Sequence, residues 1–288
     1  MRPFKIVLWT LFIFWLISIS GRFNNNINSL LSPMAKEGLR SVIESSLKGS
    51  SGRYGIFIKD LKAGESYYLN ENQQFEAGSL YKLWIMGASF EKIKRGELKE
   101  DEILSDKVEN LNALFNIASD EAELKEGEIE MSVSSAISQM ITISHNYAAL
   151  LLTKDVGISK VSEFLKRYDL NQSSVGNEVK TTPVDVGKFF EKLYKGEVID
   201  EEISGKMLGI LAEQKTNDRL PKLLPEGTKV AHKTADIGFF EHDAGIVFTP
   251  SRDYIIVVLS ETESPQAAGD RIAKLSKAVY EYFNGKIN

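Results

Sequence analysis

The sequence predicts an α+β fold: an antiparallel sheet flanked by N- and C-terminal helices, with an all-helical lobe inserted between its strands. Three observations predict it. Strand-like runs lie near both ends of the chain, at Tyr54–Lys59 and Ser66–Leu69 and again at Lys229–His232, Ala244–Phe248 and Tyr254–Ser260. Each end also carries a Ser-Pro step, Ser32-Pro33 and Ser264-Pro265, followed by an apolar stripe of helical period. The stretch from about Gly78 to Leu224 is mostly helical in pattern. Strands separated by so long an insertion must meet in one sheet to bury a face, and a cleft then forms between sheet and lobe.

The elements follow in order. Met1–Ser20 opens with Arg2 and Lys5, runs almost wholly apolar over Ile6–Ile17, and closes on Ser18-Ile19-Ser20 before Gly21. That is the pattern of a signal peptide, which sends the protein out of the cytoplasm to the periplasm or beyond. The alternative is an uncleaved anchor over residues 6–20, although about 20 apolar residues are the usual span. Residues 21–32, with Asn24, Asn25, Asn26 and Asn28, read as a flexible stalk. Residues 33–288 form the folded domain. Its first helix has Leu39, Val42, Ile43 and Leu47 on one face and stops at Gly49. The turn at Lys62-Ala63-Gly64 joins the first two strands, and Thr249-Pro250-Ser251 joins the last two. The final helix is lined by Ile272, Leu275, Val279 and Phe283 and ends at Gly285.

Composition excludes several chemistries. The 288 residues contain no cysteine, which removes disulfides, thiolate metal sites and a cysteine nucleophile. The three histidines, His145, His232 and His242, are not at helical metal spacing, so no metal or other cofactor is expected. A net charge of -5 argues against a nucleic-acid partner. A monomer is the default.

A hydroxyl nucleophile therefore remains, and it needs a base. Lysine serves when burial or a neighbouring cation lowers its pKa. Ser-x-x-Lys on a helix places both side chains on one face. Three such pairs occur, Ser45/Lys48, Ser79/Lys82 and Ser89/Lys92, where about one is expected by chance. Ser45 and Lys48 close the first helix, where exposed Ser and Lys are routine. Ser89 reads as helix surface. Ser79 follows Gly78 and opens a long helix, where a backbone N–H can stabilise an oxyanion; the plainer role for it is an N-cap. Ser144-His145-Asn146 sits in an apolar helical context, where polar Ser and Asn need partners, or where they cap a helix. Lys233-Thr234 is the one of three Lys-Thr pairs placed on a sheet strand before a hairpin.

Ser-x-x-Lys, then Ser-x-Asn, then Lys-Thr resembles the motif set of the penicillin-recognising serine enzymes. The context is similar to the class A β-lactamases and their D,D-peptidase-like relatives. The likeness covers Phe75–Lys82, Met140–Leu152, Thr181-Thr182-Pro183, Asn217–Thr234 and Asp243–Val247, and runs from about Pro33 to Phe283. It implies a β-lactamase/transpeptidase-like fold and an acyl-enzyme on Ser79. Lys82 would take the proton of Ser79, and Ser144 would relay a proton to the leaving nitrogen. Asn146 would bind the substrate's acylamide, and Lys233 and Thr234 its carboxylate. The backbone N–H groups of Ser79 and Asp236 would form the oxyanion hole. Lys233 beside Lys82 would help to depress the pKa of Lys82. The arginine that often assists carboxylate binding has two candidates, Arg219 and Arg271.

Four departures from the family pattern stand out. His145 stands where the family usually has Asp, in a mainly structural role. Ala235 stands where Gly is usual, and its methyl would crowd the substrate or the nucleophile helix. Asp236 follows, and its charge would oppose an anionic substrate. The larger departure lies between Arg167 and Lys180. The family's Glu-x-x-Leu-Asn, whose Glu activates the deacylating water, does not occur there, and the segment is short. Its acids are Asp169 and Glu178. The expectation is a class A-like serine β-lactamase. The alternatives are a penicillin-binding D,D-peptidase-like enzyme acting on cell-wall peptide and releasing β-lactams poorly, and a non-catalytic cell-wall binding protein.

Overall fold

The computed structural model describes residues 38–285. The predicted signal or anchor, the stalk and the Ser32-Pro33 helix start lie outside them. Among the described residues no helix is long and apolar enough to cross a membrane.

Helix α1, Leu39–Leu47, buries Leu39, Val42 and Ile43 at helical spacing. Gly49 follows at φ 74°, a left-handed turn that glycine takes without strain. Strands β1, Arg53–Asp60, and β2, Ser66–Leu69, form a hairpin. The buried Asp60 carboxylate accepts from the backbone N–H groups of Lys62 and Ala63 at 2.7 and 2.8 Å, which fixes the turn. The chain then enters the lobe through β3, Phe75–Glu76, and a 3-10 turn, Gly78–Tyr81, that runs into α2, Lys82–Lys94. The lobe continues with β4 (Ile103–Lys107), α3 (Val108–Leu114), β5 (Glu128–Ser132), α4 (Val133–Thr142), α5 (Asn146–Val156) and α6 (Ile158–Arg167). It closes with β6 (Lys180–Thr181), α7 (Pro183–Tyr194) and α8 (Glu201–Leu211). The chain returns to the sheet as β7 (Val230–Ile237), β8 (Phe240–Val247) and β9 (Tyr254–Glu261), and ends in α9, Pro265–Phe283.

The five-stranded antiparallel sheet has the order β2-β1-β9-β8-β7, so strands from both ends of the chain pair through β1 and β9. Side-chain alternation divides its two faces. Ile56, Ile58, Ile256 and Val258 meet α1 and α9. Phe57, Ile255, Val257 and Leu259 face the lobe. This is the predicted architecture. The lobe itself is corrected in one respect: it is not all-helical. β4 pairs with β5 and β3 with β6 as two short ribbons. The β4 and β5 segments are short and carry charges, and only Leu104 in them is buried, so they gave no strand signal against the helices around them. The β7–β8 hairpin is also longer than the apolar runs suggest. It reaches Ile237 and Phe240, because cross-strand pairing carries the charged Asp236 and Glu241 along with it.

Helix α2 is the axis of the lobe, with every residue from Lys82 to Glu91 buried. Ser89 is thus a core residue, not a surface one, and its hydroxyl donates to the Ile85 carbonyl at 2.8 Å. On the same helix Trp84 packs edge-on to Phe189, their centroids 5.1 Å apart. Gly87 admits the Phe164 ring so closely that a Cβ there would lie 2.2 Å from its nearest carbon. Replacing Gly87 by Ala would favour an isolated helix by about 0.5–1 kcal/mol. The overpacking outweighs that gain. Gly87→Ala should therefore lower unfolding stability by about 1–3 kcal/mol. An unchanged urea midpoint would show that the Phe164 ring can move aside.

Candidate active site

The segment that carries Ser79 is fixed before it becomes helix. Glu76 pairs with Lys180 across β3 and β6, and the Ala77 N–H donates to the Val179 carbonyl at 2.8 Å. From the sheet, His242 Nε2 donates to the Glu76 carbonyl at 2.8 Å, while its Nδ1 accepts from the Ser260 N–H at 3.1 Å. One ring nitrogen donates and the other accepts, so the imidazole is neutral, and burial holds its pKa down to about 4. Gly78 then turns at φ 47°, and Ser79 falls within the 3-10 turn. Ser79 is not an N-cap: the turn is entered at Ala77 without a side-chain cap. Lys82 lies one turn later, fully buried.

The second motif is a left-handed turn. Ser144 has φ 58°, a conformation that strains an ordinary side chain, held between α4 and α5. His145 caps α5, its Nδ1 accepting from the Ala148 N–H at 3.2 Å. The histidine thus does the structural work expected of the usual Asp. The turn aims both oxygens of Ser144 at Lys82. Lys82 Nζ donates to the Ser144 carbonyl at 2.6 Å, to Asn146 Oδ1 at 2.7 Å and to Ser144 Oγ at 3.1 Å. Ser144 Oγ donates in turn to Ser79 Oγ at 2.9 Å.

The third motif comes from the sheet. Strand β7 is an edge strand, and its alternation sends Lys233, Ala235 and Ile237 toward the Gly78-Ser79 turn and Ser144. Lys233 Nζ donates to Ser144 Oγ at 3.1 Å and to the Thr234 carbonyl at 2.7 Å. Behind it, buried His232 bridges Asp243 at 2.8 Å and Asn217 at 3.0 Å, and Asp243 also accepts from the Leu220 N–H. These contacts tie the strand to the segment that precedes it.

The three motifs therefore meet around one hydroxyl. Ser144 Oγ accepts from two lysines and donates to Ser79. Burial lowers the pKa of Lys82 to about 8, against the opposing pull of Glu123 and Asp236. Lys233 is lowered further, to about 7, by burial first and by the charge of Lys82 second. The expected effect of Lys233 on Lys82 thus falls mainly on Lys233 itself. An ammonium at Lys82 would use all three of its hydrogens on these acceptors. The neutral amine has two, which the shorter bonds hold, so its lone pair is free to turn to the hydroxyls.

The cleft above this network encloses about 550 Å³. Ser79, Ser144, Asn146, Thr234 and Asp236 line it, with Glu76 and Glu123 at its margins. A cavity of about 540 Å³ beside Arg53, Phe239 and Thr262 is as large, but it holds no paired nucleophile and base. Among the described residues no group of three or more His, Cys, Asp or Glu side chains could hold a metal ion.

The departures take definite form. The Ala235 methyl is buried, 3.2 Å from where a Cβ on Gly78 would stand, so it packs under the Gly78-Ser79 turn and not in the cleft. Asp236 bonds Arg219 Nη2 at 3.1 Å, which offsets its charge. Arg219 is buried and also meets Glu241, its Nε at the carboxylate. Arg271 is elsewhere, bonded to the Ser46 and Lys48 carbonyls at the end of α1. Glu178 is exposed and paired with Lys180, and it does not line the cleft. Sequence reasoning missed Glu123. It lies in a loop crowded with acids, residues 115–127, and no spacing there distinguishes one carboxylate from the next.

A family model described as the Beta-lactamase enzyme family matches residues 37–283. The chain is 25% identical to the β-lactamase CARB-4 of Pseudomonas aeruginosa over 264 residues, 85% of this chain and 89% of the relative. It is 21% identical to the extended-spectrum β-lactamase PER-1 of the same organism over 285 residues, 90% and 91% of the two chains. Among solved structures, PBP-A aligns at a TM-score of 0.75 with 23% identity, covering 87% of this chain and 97% of that one. A β-lactamase of Sphaerobacter thermophilus aligns at 0.76 with 22% identity, over 88% and 98%. These two share the fold.

The buried lysines have a consequence for stability. Below about pH 7 the folded and unfolded chains both hold the Lys233 proton, and the burial penalty is present in full. Above that pH the folded chain releases the proton while the unfolded chain keeps it until about 10.5, so stability rises with pH across this window. Urea unfolding from pH 6 to 10 should show that rise in the wild type and a smaller one in Lys233→Met. Equal slopes would mean that Lys233 does not titrate in the window.

Proposed function

The chain belongs to the Beta-lactamase enzyme family, and on that premise we propose that it hydrolyses the amide bond of β-lactams through an acyl-enzyme on Ser79. It is a serine β-lactamase-like hydrolase. The observation that carries the reading is the unbroken relay Lys82–Ser144–Ser79, with Lys233 on the same hydroxyl.

In this mechanism neutral Lys82 takes the proton of Ser79, directly or through Ser144. The Ser79 oxygen then bonds to the lactam carbonyl carbon. The backbone N–H groups of Ser79 and Asp236 receive the developing oxyanion. Ser144 delivers a proton to the lactam nitrogen as the C–N bond breaks, and Lys233 restores it. Lys233 and Thr234 hold the substrate carboxylate, and Asn146 its acylamide. Export is part of the same proposal, with residues 1–20 as signal or anchor, residues 21–32 as stalk and a monomeric enzyme after them.

A second reading is a D,D-peptidase-like enzyme on cell-wall peptide. What favours it is that neither acid of the short segment before Lys180, Asp169 or Glu178, lines the cleft. A non-catalytic binding protein has lost its motive, since Ala235 points away from the cleft and Asp236 is paired.

Benzylpenicillin followed by intact-protein mass spectrometry tests the proposal. Wild type should add one penicilloyl group at Ser79 and release hydrolysed penicillin. Ser79→Ala should take no label while melting within a degree or two of wild type. Labelling of the variant would remove Ser79 as nucleophile, and a wild-type adduct lasting hours would move the assignment to the second reading. The acylation rate should also be bell-shaped in pH. It rises toward about 8 as Lys82 loses its proton, and falls above about 7 as Lys233 loses the charge that attracts the carboxylate. The two limbs overlap, so they give apparent values for the pair. A rate that climbs steadily to pH 10 would deny Lys233 its part.

A further inference from the structure

The acyl-enzyme reading leaves the second half of the reaction without a base. Water must cleave the Ser79 ester, and a positioned carboxylate speeds such a step by about 10²–10⁴-fold. The segment that supplies this carboxylate in the family has only Asp169 and Glu178 here. Asp169 borders a separate surface cavity with Lys188 and Glu191, and Glu178 projects to solvent beside Lys180.

Three carboxylates do border the cleft: Glu76, Glu123 and Asp236. Asp236 is held by Arg219. The Glu76 carboxylate bonds none of the side chains of Ser79, Lys82, Ser144 or Asn146. Glu123 is different. Its Oε2 accepts from Asn146 Nδ2 at 3.0 Å, and Asn146 Oδ1 accepts from Lys82 Nζ at 2.7 Å. A single amide side chain therefore joins this carboxylate to the lysine beside the nucleophile. The charge of Glu123 also acts on Lys82 and favours its ammonium form.

The loop that carries Glu123 is built to hold it there. The next residue, Leu124, donates its N–H to Tyr147 Oη at 3.1 Å, and its carbonyl lies 2.8 Å from the same oxygen. Asn112 Nδ2 donates to the Leu124 carbonyl at 2.9 Å. Tyr147 is buried and follows Asn146 in α5, so the loop and the second motif move as one unit.

We propose that Glu123 is the general base that hydrolyses the Ser79 ester. This rests on the acyl-enzyme reading above. The carboxylate takes a proton from water as the water oxygen bonds to the ester carbonyl carbon. The tetrahedral intermediate collapses with cleavage of the bond to the Ser79 oxygen. That oxygen takes a proton from Lys82, which leaves the neutral amine that acylation requires, and the proton on Glu123 passes through solvent to Lys233, which gave one up in acylation. Water is the one co-reactant and the acid product leaves, so the step balances.

The test separates the two half-reactions with benzylpenicillin, by rapid-quench mass spectrometry of the full exported chain. In Glu123→Gln, turnover should fall at least 100-fold and by far more than the acylation rate of Ser79, so that the acyl-enzyme accumulates. Turnover within threefold of wild type would overturn the proposal. So would equal losses in acylation and turnover, which would make Glu123 a positioning residue for Asn146. Accumulation in Glu76→Gln with none in Glu123→Gln would transfer the role to Glu76. Glu123 is exposed, and a melting temperature within a degree or two of wild type excludes misfolding as the cause. Failure of the acyl-enzyme reading itself would be seen in the wild type, as no Ser79 adduct and no turnover.

Discussion

Two completely buried lysines point at one serine hydroxyl, and no carboxylate is hydrogen-bonded to either. Such an arrangement is expensive, because each ammonium loses its hydration and each repels the other. The fold keeps it by giving the lysines neutral oxygens: two carbonyls, one amide and the Ser144 hydroxyl. Neutral acceptors satisfy an amine without locking it as an ammonium, as a carboxylate would. The depressed basicity is thus a property of the whole enclosure. It depends on Ser144 holding a left-handed turn, on His145 capping the helix that follows, and on β7 staying in register.

The two lobes contribute unequal parts. The helical lobe supplies Ser79, Lys82, Ser144 and Asn146, and the sheet supplies Lys233, Thr234 and Asp236. Precision between them comes from a few contacts that cross the boundary. His242 reaches from β8 to the backbone of Glu76, three residues before Ser79. The Ala235 methyl fills the space beneath Gly78. Asp243 holds both His232 and the Leu220 backbone, so the strand carrying Lys233 cannot slide against the segment before it. Large apolar faces on both sides of the sheet supply stability, while these polar and close-packed contacts set position.

Much of this was legible in the sequence. The Pro265 helix start, strand runs at both ends and a helical middle specify the architecture because each rests on a local signal: a proline in the first turn, a period or a turn. The three motifs were legible because each keeps its polar residues within one turn of chain. Other features depend on neighbours distant in the chain. Ser89 looks like a surface residue on its own helix and becomes buried only when other helices surround α2. Asp236 looks like an unopposed charge until Arg219, seventeen residues earlier, folds over it. Glu123 sits in a run of acids with no period, and it takes its place through Leu124, Tyr147 and Asn112. The β4–β5 ribbon escaped because its strands are short and charged, with only Leu104 buried.

The contact between Gly78 and Ala235 has an evolutionary side. A side chain at 78 would strain a backbone at φ 47° and press on the methyl below it. Removing the methyl would relieve only part of the pressure, since Ile237 Cγ2 would stand 3.3 Å from the same Cβ, and it would leave the backbone strain in place. Neither position is free to drift alone. With alanine on the strand, the glycine opposite is constrained for a second reason, and a change tolerated at either site depends on the state of the other. Lineages that share this alanine should therefore keep the glycine, and should explore sequence change elsewhere around the cleft.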